Sequence, residues 1–182
     1  MNLRNRRMEI EWQFLEALAD ANRTTFASIT RSLNEFRVIL RESPAWVGKG
    51  KERHIETEHA LRYVYPRYYP ALPLEAYFVR PVSHINIDPV TGFICLWKDY
   101  RLGQTIVNAI LITRAIMAWK AANWDPEHCM QQAESSPLSI PTLTIPASCL
   151  PLLSRRISRQ RLSSELDGYT PQESDFAFSD TE

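Results

Sequence analysis

The stretch Ser83-His84-Ile85-Asn86-Ile87-Asp88-Pro89-Val90-Thr91-Gly92-Phe93-Ile94-Cys95-Leu96-Trp97 decides how this chain is read. A His/Asn pair suited to turns comes first. A loop closed by Gly92 follows, and then a cysteine inside a short apolar run. That order predicts a thiol held at a surface edge with a side-chain amide close by. Asn86 is the candidate amide and Cys95 the candidate nucleophile, because a thiolate attacks carbonyl carbon well and also leaves well.

Downstream, Thr105 reads as the N-cap of a helix whose apolar face holds Ile106, Val107, Ile110, Leu111, Met117 and Ala118. Asn123-Trp124-Asp125-Pro126 ends it, since Pro126 disfavours helical backbone at Asp125. A short helix is expected over 126–133. From about Glu134 the chain turns rich in Ser and Pro, and residues 134–182 are read as a tail, mostly disordered or loosely docked. A short helix around Leu152 to Leu166 is one option within it. The two units are therefore 1–133, a catalytic domain, and 134–182, the tail.

Upstream, Tyr65-Pro66-Arg67-Tyr68-Tyr69-Pro70-Ala71-Leu72-Pro73-Leu74 is too proline-rich for a central strand. Strands are expected at Thr25–Thr30, Phe36–Arg41, Ile55–Tyr65 and Ala76–Val79, with Gly48-Lys49-Gly50-Lys51 as a hairpin loop. Short connections imply an antiparallel meander. Met8, Trp12, Leu15, Leu18 and Ala19 recur at helical spacing, with Glu9, Glu11 and Glu16 assigned to the outer face. Arg4, Arg6 and Arg7 stand at that helix's N-terminal end, where positive charge opposes the dipole. They read either as a solvated end or as a docking patch. The sum is an α+β fold: N-terminal helix, antiparallel meander of about four strands, active-site loop, central helix.

Lys+Arg and Asp+Glu both number 21, so no bulk charge favours nucleic acid or an anionic membrane. Three scattered cysteines make neither a disulfide framework nor a C-x-x-C metal pair, and they suit a reducing cytoplasm. No secretory signal or membrane span is expected. The reading calls for no cofactor and no metal.

Four landmarks in register resemble the ubiquitin-conjugating enzymes, over roughly residues 6–133. The family's proline run stands as Tyr65 to Pro73. Its His-Pro-Asn motif stands as His84-Ile85-Asn86, and its Gly-x-Ile-Cys-Leu as Gly92 to Leu96. Its acidic residue before a proline stands as Asp125-Pro126. The resemblance implies a ubiquitin-conjugating-like fold with the last two helices truncated. It also implies that Cys95 takes the C-terminus of a protein as a thioester and passes it to an amine or other nucleophile. Catalytic candidates are Cys95, Asn86, His84 and Asp125. Partners implied are an activating enzyme or equivalent, a carried protein with a free C-terminus, and an acceptor protein.

Ile85 stands where the family has proline, and one extra residue separates Asn86 from Cys95. The segment after Cys95 is shorter than usual. These departures resemble the compact bacterial members encoded beside cyclic-oligonucleotide synthases in anti-phage systems, or in ubiquitin-like operons. In the former, the carried protein is the synthase itself. Several roles stay open at this stage. Asn86 is either an oxyanion donor or a loop brace. His84 is read as a brace in preference to a base. Asp125 either orients the amine or ends a helix. Two other readings compete: a binding module with the same fold, and a cysteine hydrolase using His84 with Cys95.

Overall fold

The computed structural model describes residues 3–149. Helix α1 (Leu3–Ala21) leads into strands β1 (Phe26–Arg31), β2 (Glu35–Leu40), β3 (Ala45–Val47), β4 (His54–Glu56), β5 (His59–Val64), β6 (Glu75–Phe78) and β7 (Phe93–Ile94). Helix α2 (Ile106–Met117) follows. The main sheet has five strands in the order β1-β2-β5-β6-β7, and β3 pairs with β4 in a separate hairpin. Every pairing is antiparallel. This is the α+β architecture expected: an N-terminal helix, an antiparallel meander and a central helix.

Period two builds the sheet. Phe36, Val38 and Leu40 of β2 point inward, opposite Tyr63, Leu61 and His59 of β5. The outer face carries Glu35 between Arg37 and Arg62, at 2.5 and 2.6 Å. The inner face packs on α1 and α2. Ten of the twelve α2 residues are buried, so this helix is covered on nearly every side.

The main sheet holds five strands where about four were expected, since β7, with two residues, is too short to show a period. Three local expectations need correction. The single strand expected over Ile55–Tyr65 is two, β4 and β5, which belong to different sheets. Ala45-Trp46-Val47 is a strand the reading passed over. No helix forms over 126–133; His128 and Cys129 donate to the carbonyl of Asp125 in a single turn, and Met130 N then donates to Ile85 O.

Glu11 does not lie on an outer face. It is fully buried, on the same stripe as Met8, Leu15 and Leu18. Its carboxylate accepts from Arg7 Nε at 2.8 Å, from Tyr65 Oη at 3.3 Å, from Tyr69 Oη, and from the Ile106 N–H at 2.7 Å. The last donor is at the start of α2, so Glu11 ties α1 to the positive end of that helix. Thr105 caps the same end, in a capping box with Asn108. Burial pushes the Glu11 carboxyl upward, against the hydrogen bonds from Tyr69, Arg7 and Ile106. The arginines are not an idle fringe either. Arg4 donates to Pro66 O, Tyr65 O and Asn34 Oδ1, and Arg7 also reaches Gln104 O.

After α2 the described residues hold no further helix beyond one 3₁₀ turn, Ala147–Cys149. Residues 134–146 form no regular element and are tied to the domain by hydrogen bonds. Trp46 Nε1 donates to Ser136 O, Leu138 N to Ala118 O, and Arg114 to Pro141 O. Asn22 and Thr144 bond reciprocally, and Leu143 and Cys149 are buried in the core. The remainder of the 134–182 segment, with the helix considered at 152–166, lies outside the described residues. No helix among the described residues is long and apolar enough to cross a membrane.

Candidate functional site

The hairpin before Cys95 is closed by local chemistry. Asp88 Oδ1 accepts from the N–H groups of Val90 and Thr91, an Asx turn. Gly92 sits at φ +75, and a Cβ there would lie 2.1 Å from the carbonyl oxygen of Phe78. Only glycine fits that approach. The tight return lays β7 beside the preceding loop, where Ile87 bridges to Ile94. Cys95 N then donates to Asn86 O at 2.9 Å. The hairpin thus brings Asn86 and Cys95 together.

Asn86 is buried, and its side chain pairs with one backbone unit. Oδ1 accepts from Asn123 N at 2.6 Å, and Nδ2 donates to Asn123 O at 3.0 Å. This reciprocal clamp fastens the loop after α2 to the hairpin that carries the thiol. Asn123 was read from sequence only as part of a helix stop. Gln131 adds two stitches, donating to Val82 O and Ile87 O.

His84 spends both ring nitrogens on the same seam. Nδ1 accepts from Asn86 N at 3.1 Å, and Nε2 donates to Ala121 O at 3.1 Å. The ring lies against Trp119, tilted by 45°, with centroids 4.1 Å apart. Burial holds its pKa down at about 3, so the imidazole stays neutral. These contacts leave no ring lone pair facing Cys95, which removes the pairing a cysteine hydrolase would use.

Asp125 is exposed. Its N–H donates to Asn123 Oδ1, and its own Oδ1 accepts from Glu127 N. It therefore shapes the turn beside the clamp and does not line the groove at the thiol. That groove is shallow and open, walled by Leu96, Trp97 and Lys98 on one segment and by Ala121, Ala122 and Asn123 on another. Ile116 and Asn86 complete it around Cys95. The first wall is anchored to the proline run: Trp97 Nε1 donates to Leu74 O and Tyr100 Oη to Pro70 O.

Cys95 is partly exposed, and burial alone pushes its thiol upward. Cys129 is the exposed thiol, and its Sγ donates weakly to Asn123 O at 3.6 Å. Among the described residues no cluster of three or more His, Cys, Asp or Glu is placed to hold a metal.

No family model and no curated protein matches this chain. Solved structures are similar to it, two of them as follows. One is described as a ubiquitin conjugating enzyme from Plasmodium yoelii, 18% identical over 68% of this chain and 77% of that one, with a TM-score of 0.46. The other is the E2 domain of a Toxoplasma gondii ubiquitin conjugating enzyme, 26% identical over 59% and 74%, with a TM-score of 0.41.

Proposed function

We propose that the chain is a ubiquitin-conjugating-like transferase in which Cys95 carries a protein C-terminus as a thioester. The observation that carries this reading is the clamped groove. A partly exposed thiol sits on a rigid hairpin, next to a buried amide, with the nearby imidazole committed to the loop. Such a site suits reversible acyl exchange, where a dedicated base is not needed, better than hydrolysis.

In the first step the Cys95 thiolate attacks the carbonyl of an activated C-terminus. The C–S bond to Cys95 forms, and the donor's thiolate leaves and takes up the proton that Cys95 gave to solvent. In the second step an amine attacks the thioester. The tetrahedral oxyanion collapses as the C–S bond breaks and the Cys95 thiolate leaves, and the new amide nitrogen gives its proton, through solvent, to that thiolate. Asn86 has a second N–H on Nδ2 beyond the one bonded to Asn123, and the reading assigns it to the oxyanion. Asp125, outside the groove itself, is assigned to orienting the incoming amine on its approach, and His84 to bracing Asn86. The partners are an activating enzyme, a carried protein and an acceptor. The bacterial anti-phage setting rests on sequence resemblance alone, and gene neighbourhood tests it.

A synthetic Gly-Gly peptide α-thioester replaces the activating partner in the test. With Cys129→Ser as background, the peptide is exchanged onto Cys95, and aminolysis by lysine is timed by mass spectrometry. The Cys95 thioester is expected to react at least about 100-fold faster than the glutathione thioester of the same peptide, with Asn86→Ala losing most of that gain. Equal rates for Cys95 and glutathione would sink the transferase reading and favour the binding module.

A further inference from the structure

The turn that carries Asn86 is held from outside itself. Ile87 N donates to His84 O at 3.0 Å, closing His84-Ile85-Asn86-Ile87 as a β-turn. Ile85 is its second residue, the position where a proline ring would lock the backbone. Isoleucine supplies no such lock. The bonds that pin this turn come instead from residues 130–131. Met130 N donates to Ile85 O at 2.8 Å. Gln131 Nε2 donates to Val82 O at 3.1 Å and to Ile87 O at 2.9 Å. One side-chain amide thereby joins the chain entering the turn to the chain leaving it.

The demand on this residue is chemical. Two carbonyls facing one atom require a nitrogen with two hydrogens, which an amide has. A glutamate of the same shape would set an acceptor against both. Gln131 is itself held on either side. The Met130 bond precedes it, and Arg53 follows, donating to Glu134 O at 2.8 Å and to Glu134 Oε2 at 3.2 Å.

Asn86 has two anchors. The clamp to Asn123 fixes its side chain, through Oδ1 and one N–H of Nδ2. The turn fixes its backbone, where Asn86 O takes the Cys95 N–H at 2.9 Å. A turn that shifts therefore shifts the remaining Nδ2 N–H relative to the thiol.

We infer that Gln131 is a positioning residue for acyl transfer, acting through Asn86 by fixing where that remaining N–H stands relative to Cys95. The inference rests on the transferase reading above. A displacement of about 1 Å at a group acting in the transition state is enough to cost roughly 100-fold. Attack by an amine is the step most exposed to that loss. Thiol exchange onto Cys95 uses a stronger nucleophile and depends less on the donor.

The test uses the full chain in the Cys129→Ser background, with the Gly-Gly peptide thioester. Loading of Cys95 and aminolysis of the loaded thioester are timed separately, and urea midpoints are recorded. Gln131→Met keeps the length and loses both bonds. It is expected to slow aminolysis about tenfold with loading within about twofold, and Gln131→Glu should slow it further. Hydrogen exchange over residues 82–88 should quicken in both. Trp46→Phe is the control for stability alone, because it removes the bond to Ser136 O and leaves the turn untouched. It should lower the urea midpoint and leave the ratio of aminolysis to loading unchanged. In an Asn86→Ala background, Gln131→Met should slow aminolysis by no more than about twofold more. A ratio unmoved in Gln131→Met, a ratio moved equally by Trp46→Phe, or a full tenfold loss on top of Asn86→Ala would each overturn the inference and leave the transferase reading intact. A parent Cys95 thioester no faster than glutathione's would instead remove that reading and the inference with it.

Discussion

The two ends of α2 are held by opposite kinds of chemistry. At the N-terminal end an ionised network does the work: Glu11, Arg7, Tyr65, Tyr69 and the Ile106 N–H converge in the interior. At the C-terminal end every group in the seam is neutral. The Asn86 side chain bonds to the Asn123 backbone, the His84 ring to Asn86 N and Ala121 O, and Trp119 closes the helix. The difference is where charge is kept. A buried ion pair contributes strongly to the local field, and here it lies at the far end of the helix from the thiol. Beside Cys95 the clamp supplies rigidity without charge, so desolvation alone shifts the thiol. The proposed carrier role would use that balance, since its thiolate must be nucleophilic enough to load and also leave on discharge.

Breaking the charged end should have the largest effect. Glu11→Ala would strand Arg7 and two tyrosine hydroxyls in the interior and cost about 3–5 kcal/mol, read as the urea midpoint. Glu11→Gln, which keeps shape and some hydrogen bonds, should cost clearly less. A loss under about 1 kcal/mol for Glu11→Ala would mean the network is not what joins α1 to α2.

The neutral end makes a pH-dependent prediction. The His84 pKa falls from 6.5 in the ordinary case to about 3 in the fold. The unfolded chain therefore takes up the proton first. The stability due to neutral His84 is complete above about pH 6.5 and drains away between there and pH 3. The slope for one proton is roughly 1.4 kcal/mol per pH unit, or about 2 kcal/mol by pH 5. His59, also lowered by burial, acts in the same direction. Urea midpoints at pH 7.5 and 5 should converge for His84→Asn relative to the parent. An identical pH slope in both would assign the acid loss elsewhere.

The smallest effect concerns the thiol itself. With burial raising Cys95 and leaving Cys129 exposed, iodoacetamide at pH 7.5 should label Cys129 first. Cys95 should follow about three- to tenfold more slowly, and its rate should still be climbing above pH 9. Preferential labelling of Cys95 at neutral pH would reveal a thiolate-stabilising neighbour and undo the contrast between the two ends.

The elements that were legible share a local cause. Strand-like composition marked β2 and most of β5, helical spacing marked α1 and α2, and Thr105 announced its cap. The hairpin to Cys95 was legible because Asp88 and Gly92 each act within a few residues. What escaped depends on distant partners. β3 is three residues long and gains its identity from β4. Glu11 looked solvent-facing because a carboxylate on an apolar stripe makes sense only once Tyr65, Tyr69 and Ile106 are known to surround it. Asn123 looked like punctuation because its partner is 37 residues away. Trp119 gave no sign of a helix end, since the residue expected there is glycine.

The sequence by itself determined the periodic elements, the turn that returns the chain at Gly92, and the identity of the candidate residues His84, Asn86, Cys95 and Asp125. Those follow from backbone sterics and side-chain spacing, which act over a few residues. Only the tertiary structure decided what these residues do to one another. It committed His84 to the seam, bound Asn86 to Asn123, left Asp125 shaping a turn and half-covered Cys95. Hydrogen bonding and desolvation depend on which groups the whole fold brings within about 3 Å, and no local pattern encodes that.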